Sequence, residues 1–184
     1  MGKVCVFLAA GFEEIEALTV VDVCRRGGID TATVSITKER EVMGSHQIPV
    51  IADCILSDLD FDQVDMIVLP GGIPGTPNLE ACEPLMAALD DFHKKGKFIS
   101  AICAAPSILG HRGILRGKKS CSNPNFEKEL TGAEVLSDSS VTSGTIITGR
   151  GMGCSIPFAL SILERFKGQE AVETVKQKMV YEQN

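Results

Sequence analysis

Cys103 stands in "FISAICAAPSIL" (98–109), between an apolar run and the start of a helical segment. The pattern reads as a nucleophile elbow: a strand, a tight turn carrying the reactive side chain, then a helix. Ala101, Ala104 and Ala105 keep the corner uncrowded, and Pro106 suits a first helical turn, where its missing N–H costs nothing. A thiol held there meets unpaired amide N–H groups and the positive end of the helix dipole. The pattern therefore predicts a thiol pKa lowered from about 8.5 and a thiolate near neutrality. The residues also allow a plain packing thiol, because Cys5, Cys24, Cys54, Cys82, Cys121 and Cys154 lie mostly in apolar stretches as well.

Three carboxylates, Glu13, Glu14 and Glu16, fall in "GFEEIE" (11–16), where a favourable acidic first helical turn would explain any one of them. Glu16 differs in being set among Ile15, Ala17 and Leu18. Pointing inward, it would have a raised pKa and a proton to exchange with a neighbouring thiolate. Gly71 and Gly72 in "LPGGIPG" permit positive φ and close backbone approach, as an ordinary turn or as amide donors to an oxyanion. This loop fits neither Gly-x-Gly-x-x-Gly nor a P-loop, so no nucleotide cofactor is expected.

Of the three histidines, His93 beside Lys94 and His111 beside Arg112 read as surface residues. His46, at a hairpin tip, would reach a site only across a subunit contact. None follows Cys103, so a Cys–His pair for peptide hydrolysis is not evident, and no metal site is expected.

The elements that must hold these residues alternate between β-favouring runs and helical periods. Strands are predicted over 3–9, 30–37, 64–70, 97–102 and 145–149, and a hairpin over 40–53 turning at Gly44–Ser45. Helices are predicted over 13–28, about 79–95, 104–113, 155–168 and 169–183. In the first, Ile15, Leu18, Val21 or Asp22, and Cys24 are spaced to share a face. Such alternation implies a mostly parallel sheet with helices on both sides, with sites at the carboxyl ends of the strands. The loops "AAGFEE", "PGGIPG" and "ICAAP" would meet there.

The 184 residues, 44% hydrophobic and 23% charged, suit one domain, 1–184. An odd count of seven cysteines without Cys-x-x-Cys fits reduced thiols in the cytosol better than disulfides or zinc. A net charge of −6, one Tyr, no Trp and no long basic run disfavour nucleic acid. No apolar stretch approaches the roughly 18 residues of a membrane span, and no signal peptide precedes the first strand. A cytoplasmic protein is the expectation.

"GFEEIE", "VLPGG", "AICAAP" and "GRGMGCSIPFAL", in this order and spacing, resemble the ThiJ/PfpI superfamily. They look closest to the branch of the Parkinson-disease-linked deglycase and redox-stress protein and bacterial YajL. The likeness covers nearly the whole chain, and four motifs together are highly specific. It implies a flavodoxin-like α/β three-layer sandwich, a homodimer and no cofactor. It also implies a nucleophile at Cys103, a protonated partner at Glu16, oxyanion donors at Gly72 and Ala104, and His46 and Arg150 on the dimer side of the site. Asn123, in "CSNPNF", stands where many members have histidine. It can donate or accept a hydrogen bond but cannot carry a proton, leaving proton traffic to Glu16 and water. The implied activity is a cysteine-dependent glyoxalase or deglycase acting on α-oxoaldehydes or their thiol and amine adducts, linked to oxidative or carbonyl stress. The competing expectations are a redox sensor or chaperone working through oxidation of Cys103 and, with no residue in its support, thiazole monophosphate biosynthesis.

Overall fold

In the computed structural model, which describes residues 2–181, the first apolar run splits between two cores. From strand β1 (Lys3–Leu8), Val4, Val6 and Leu8 enter one cluster, whereas Cys5 and Phe7 enter the other. Burial on both faces is why this strand is apolar without alternation. The chain continues through α1 (Glu14–Arg26), β2 (Asp30–Ser35), β3 (Glu41–Met43), β4 (Pro49–Ile51), β5 (Cys54–Ile55), β6 (Met66–Leu69), α2 (Gly75–Glu80), α3 (Glu83–Lys95) and β7 (Phe98–Ile102). It closes with α4 (Pro106–His111), β8 (Lys119–Ser120), β9 (Glu134–Val135), β10 (Ser140–Ser143), β11 (Ile146–Gly149) and α5 (Ser155–Lys178).

The seven-stranded sheet runs β10-β11-β7-β6-β1-β2-β5, and only the β10–β11 pairing is antiparallel. Helices α1 and α5 pack on one face through Val20, Cys24, Phe158 and Leu163. On the other, α2, α3 and α4 contribute Leu79, Leu89, Phe92 and Ile108. The result is the expected flavodoxin-like α/β sandwich of three layers. Each large side chain fully buried this way contributes roughly 1.5–3 kcal/mol. Because β1, β6, β7 and β11 are parallel neighbours, the loops at their carboxyl ends gather at one edge.

Several expectations shift. In α1 the buried face is Ala17, Val20, Val21 and Cys24 with Glu16, while Ile15 is 50% and Leu18 38% exposed. The helix is apolar on more than one side, so periodicity misjudged its rotation by about a quarter turn. The segment predicted as one helix over 79–95 is two, because α2 ends at Glu80 and α3 restarts at Glu83. The two predicted C-terminal helices form α5, broken at Gly168, whose φ of 76° is non-helical; positions 182 and 183 lie outside the described residues. Strand β10, at the sheet edge, and the short β5, β8 and β9 were not predicted. Their residues alternate too little, over too few positions, to carry a period.

Candidate active site

The strand β7 ends on Ile102, and Cys103 follows at a φ of 64°. A non-glycine residue in this left-handed region is strained by an amount on the order of 1–2 kcal/mol, and the surroundings must impose it. They do so through the backbone. The Cys103 N–H donates to the Gly149 carbonyl of β11 at 3.0 Å, and its carbonyl accepts from the Asn123 N–H at 2.9 Å. Ala105 N–H donates to Ile102 O at 3.1 Å, and the Ser107 hydroxyl to Ala104 O at 2.7 Å. The half-buried thiol thus sits on a corner fixed from both sides, as an elbow requires.

Glu16 reaches this corner from the first turn of α1. Glu13 caps that turn, its carboxylate accepting the Glu16 N–H at 2.7 Å. The Glu16 side chain is fully buried; Oε2 accepts the Gly71 N–H at 2.8 Å. Oε1 has no hydrogen-bond partner among the described residues. The Cys103 thiol lies close enough for each group to shift the other's titration. Gly71 is wedged between them: a Cβ there would lie 2.8 Å from both Cys103 Cβ and Glu16 Oε2. Glycine is needed here for lack of space.

Burial raises the Glu16 carboxyl from its usual 4.5 to about 7, with the thiol and the Gly71 N–H opposing and the Glu13 charge adding. Burial likewise pushes the Cys103 thiol up to about 12, the charge of Glu16 adding and the Ala104 N–H opposing. This corrects the expectation of a thiolate held down by a helix end. Helix α4 has only six residues and begins three positions later, so desolvation and a facing carboxylate outweigh its amides. The two groups act as one site, in which charge on either opposes charge on the other. Its first proton leaves near neutrality from the carboxyl, and the thiol keeps its own proton there.

The other predicted residues divide into two sets. Gly72, at a φ of 95°, leaves its N–H without an acceptor among the described residues, and Ala104 N–H faces the sulfur. Asn123 is half-buried, its Oδ1 accepting the Asn125 N–H at 3.1 Å. Arg150 directly follows Gly149, its guanidinium donating to Ser137 O at 2.8 Å. Ala104 and Asn123 thus touch Cys103 and Gly72 follows the wedged Gly71, whereas the Arg150 side chain is turned to Ser137 and Glu127. His46 is exposed, with Nδ1 3.1 Å from Glu14 Oε2. Glu13, Glu14 and His46 bring one possible metal-ligand atom each within 4.8 Å of one another. Glu13 and Glu14 already serve as acceptors within the chain. Sequence reasoning missed Glu13 as a third charge acting on the pair. Its place as the cap three residues before Glu16 was the available signal.

The sequence model of the DJ-1/PfpI family matches residues 2–165. Protein DJ-1 homolog B of Arabidopsis thaliana is 35% identical over 184 residues, 99% of this chain; the chain spans 42% of that relative's length. Glutathione-independent glyoxalase DJR-1.2 of Caenorhabditis elegans is 32% identical over 89% of this chain and 87% of its own. The solved structure of oxidized DJ-1 from Toxoplasma gondii is 30% identical and superposes over 100% of both chains with a TM-score of 0.95.

Proposed function

The chain belongs to the DJ-1/PfpI family, and we propose that it is a cofactor-free, cysteine-dependent glyoxalase or deglycase. Its substrates are small α-oxoaldehydes or their adducts on thiols and amines. The observation that carries this reading is the strained thiol of Cys103 abutting a buried carboxyl with a pKa of about 7, beside amide donors at Gly72 and Ala104. The glyoxalase-named relative supports the same chemistry.

With methylglyoxal, the Glu16 carboxylate takes the Cys103 thiol proton as the sulfur adds to the aldehyde carbon. The carbonyl π electrons move to oxygen, which takes the proton held by Glu16 while the two amides stabilise its charge. Glu16, now a carboxylate, removes the hydrogen on that carbon as a proton. The released pair forms the enediol double bond, and the ketone oxygen takes a proton from water. Return of the Glu16 proton to the neighbouring carbon, while the hydroxyl on the sulfur-bearing carbon gives its proton to the hydroxide left by that water, leaves a lactoyl thioester, which water cleaves to lactate and free thiol. An adduct on an amine or thiol first expels the repaired group, which takes a proton from Glu16 as the adduct's hydroxyl gives one back and reforms the aldehyde; that aldehyde then enters the same addition. Asn123 orients bound substrate and carries no proton.

The test is methylglyoxal loss and lactate formation by wild type, Cys103→Ser and Glu16→Ala. Undiminished consumption by both variants sinks the proposal.

A second reading uses the same sulfur as a redox sensor, oxidised by peroxide to a sulfenic and then a sulfinic acid with release of water at each step. The unpartnered Glu16 Oε1 favours it, since a protonated carboxyl there can donate to a sulfinate oxygen. Mild peroxide should then oxidise Cys103 selectively, by mass spectrometry. Equal oxidation of all seven free cysteines removes this reading.

The same proposal makes the chain one half of a homodimer in the cytosol. Exposed Ile15, Leu18 and Ile48, with Ile156 and Met179, line an apolar groove of about 470 Å³. Among the described residues no helix is long and apolar enough to cross a membrane. Ile15→Glu with Ile48→Glu should yield monomers in sedimentation; an unchanged sedimentation coefficient counts against that face.

A further inference from the structure

His111, read from the sequence as a plain surface residue, occupies a junction. Three segments each begin just after a residue assigned to the site. Helix α2 begins three residues after Gly72, α4 three residues after Cys103, and a 3-10 turn (Pro124–Glu129) directly after Asn123. One imidazole touches all three. His111, the last residue of α4, places Nδ1 2.7 Å from Oε1 of Glu80, which ends α2. Its Nε2 lies 3.1 Å from Oε2 of Glu129, which ends the 3-10 turn. The backbone is close at the same spot: a Cβ on Gly110 would collide with the Glu129 carbonyl and lie 2.9 Å from Leu130 Cα.

A neutral imidazole has one N–H and one lone pair, so it can donate to only one carboxylate and sets a lone pair against the other. Only the imidazolium donates to both. We propose that His111 is a positioning residue: as an imidazolium it staples α2, α4 and the 3-10 turn together, and so fixes Gly72 and Asn123 in their places around Cys103. The inference rests on the proposed function only in taking Cys103 as the reacting group.

The bond to Glu80 first, then that to Glu129, raises the His111 pKa above its usual 6.5, against partial burial. The remaining charge nearby is engaged elsewhere. Arg112, next in the chain, pairs with Asp90 on α3, and His93 and Lys94 face that same carboxylate. A raised histidine pKa gives stability that is fully present below 6.5 and is lost as pH rises through the folded value. The site is thus tightest on the acid side of that transition.

Amide exchange over residues 123–129 reads the staple without reference to turnover. At pH 6 the His111→Gln protein should exchange there about threefold faster than wild type, as expected for losing exposed ion pairs of this class. At pH 9 the two should agree after correction for intrinsic rates. His111→Lys, charged at both pH values, should stay protected at both. Glu80→Gln and Glu129→Gln should each move the wild-type transition to lower pH. With methylglyoxal, kcat/KM of His111→Gln relative to wild type should fall about threefold at pH 6 and recover by pH 9. Equal exchange at pH 6, or a difference that persists at pH 9, overturns the staple. Altered exchange with an unchanged kcat/KM ratio overturns its link to the site. If wild type fails to consume methylglyoxal, the proposed function fails, and exchange alone still decides the staple.

Discussion

The first turn of α1 serves two pockets that treat similar side chains in opposite ways. Glu14 and Glu16 are two residues apart and both expose little surface, at 4% and 0%, but Glu16 lies deep whereas Glu14 sits just beneath an exposed hairpin tip. Glu14 faces the β3–β4 hairpin tip, where its carboxylate accepts the His46 N–H at 2.7 Å and the Ser45 hydroxyl at 3.1 Å, with the His46 ring also at 3.1 Å. Burial opposes ionisation there too, but the His46 backbone N–H, the Glu14 backbone and the two side chains hold its pKa below 4.5. Glu16 faces the thiol with one N–H on one oxygen and nothing on the other, and it rises to about 7. Depth of burial and the donors waiting in the pocket together decide the charge of a carboxyl. One pocket is built to keep its carboxylate charged and the hairpin docked, the other to let a proton come and go.

The largest break in this comparison comes from Glu16→Gln, which keeps an acceptor for Gly71 but cannot exchange a proton. Turnover of methylglyoxal should fall by about 10²–10⁴-fold, the usual contribution of a general acid–base, in a steady-state assay at pH 7. Glu14→Gln should leave turnover within a few fold.

The same Glu16→Gln variant sharpens the comparison in stability. Because the folded pKa of Glu16 exceeds its unfolded value, the native state binds the extra proton and loses stability as pH rises from about 4.5 to about 7. That loss amounts to at most about 3 kcal/mol. Denaturant unfolding across this window should show the slope in wild type and flatten it in Glu16→Gln. Glu14 has the reverse sign: its contribution is present above 4.5 and disappears as pH falls through its lowered folded value.

Glu14→Ala should then cost about 2 kcal/mol at pH 7, because buried donors of the hairpin tip lose a charged acceptor. Chemical unfolding measures this, and hydrogen exchange should place the loosening at residues 44–46. A smaller effect is expected from Gly71→Ala, about 1–2 kcal/mol, as the added methyl forces Cys103 and Glu16 apart. The Glu16 titration should shift with it, by infrared detection of the carboxyl.

Much of this was legible in advance. The alternation of β-favouring and helical periods gave the layered architecture, because a strand buried on both faces leaves an apolar run that few other elements produce. The corner at Cys103 was legible from small residues and Pro106, whereas the inward turn of Glu16 was expected from three apolar neighbours of which only Ala17 is itself buried. The rotation of α1 was not legible, since Ile15 and Leu18 are as apolar as the residues that displaced them from the core. His111 looked like surface because its partners, Glu80 and Glu129, are 31 and 18 positions away.

By itself the sequence determined which residues carry reactive groups and which elements deliver them, since hydrophobic period and turn chemistry are local properties of the chain. Only the tertiary structure decided their charge. The proton balance of Cys103 depends on Glu16, which lies in another element, on the space left by Gly71, and on the donors that Glu14 receives and Glu16 lacks. Electrostatic energy depends on distance and desolvation in space, and neither is written in the order of residues.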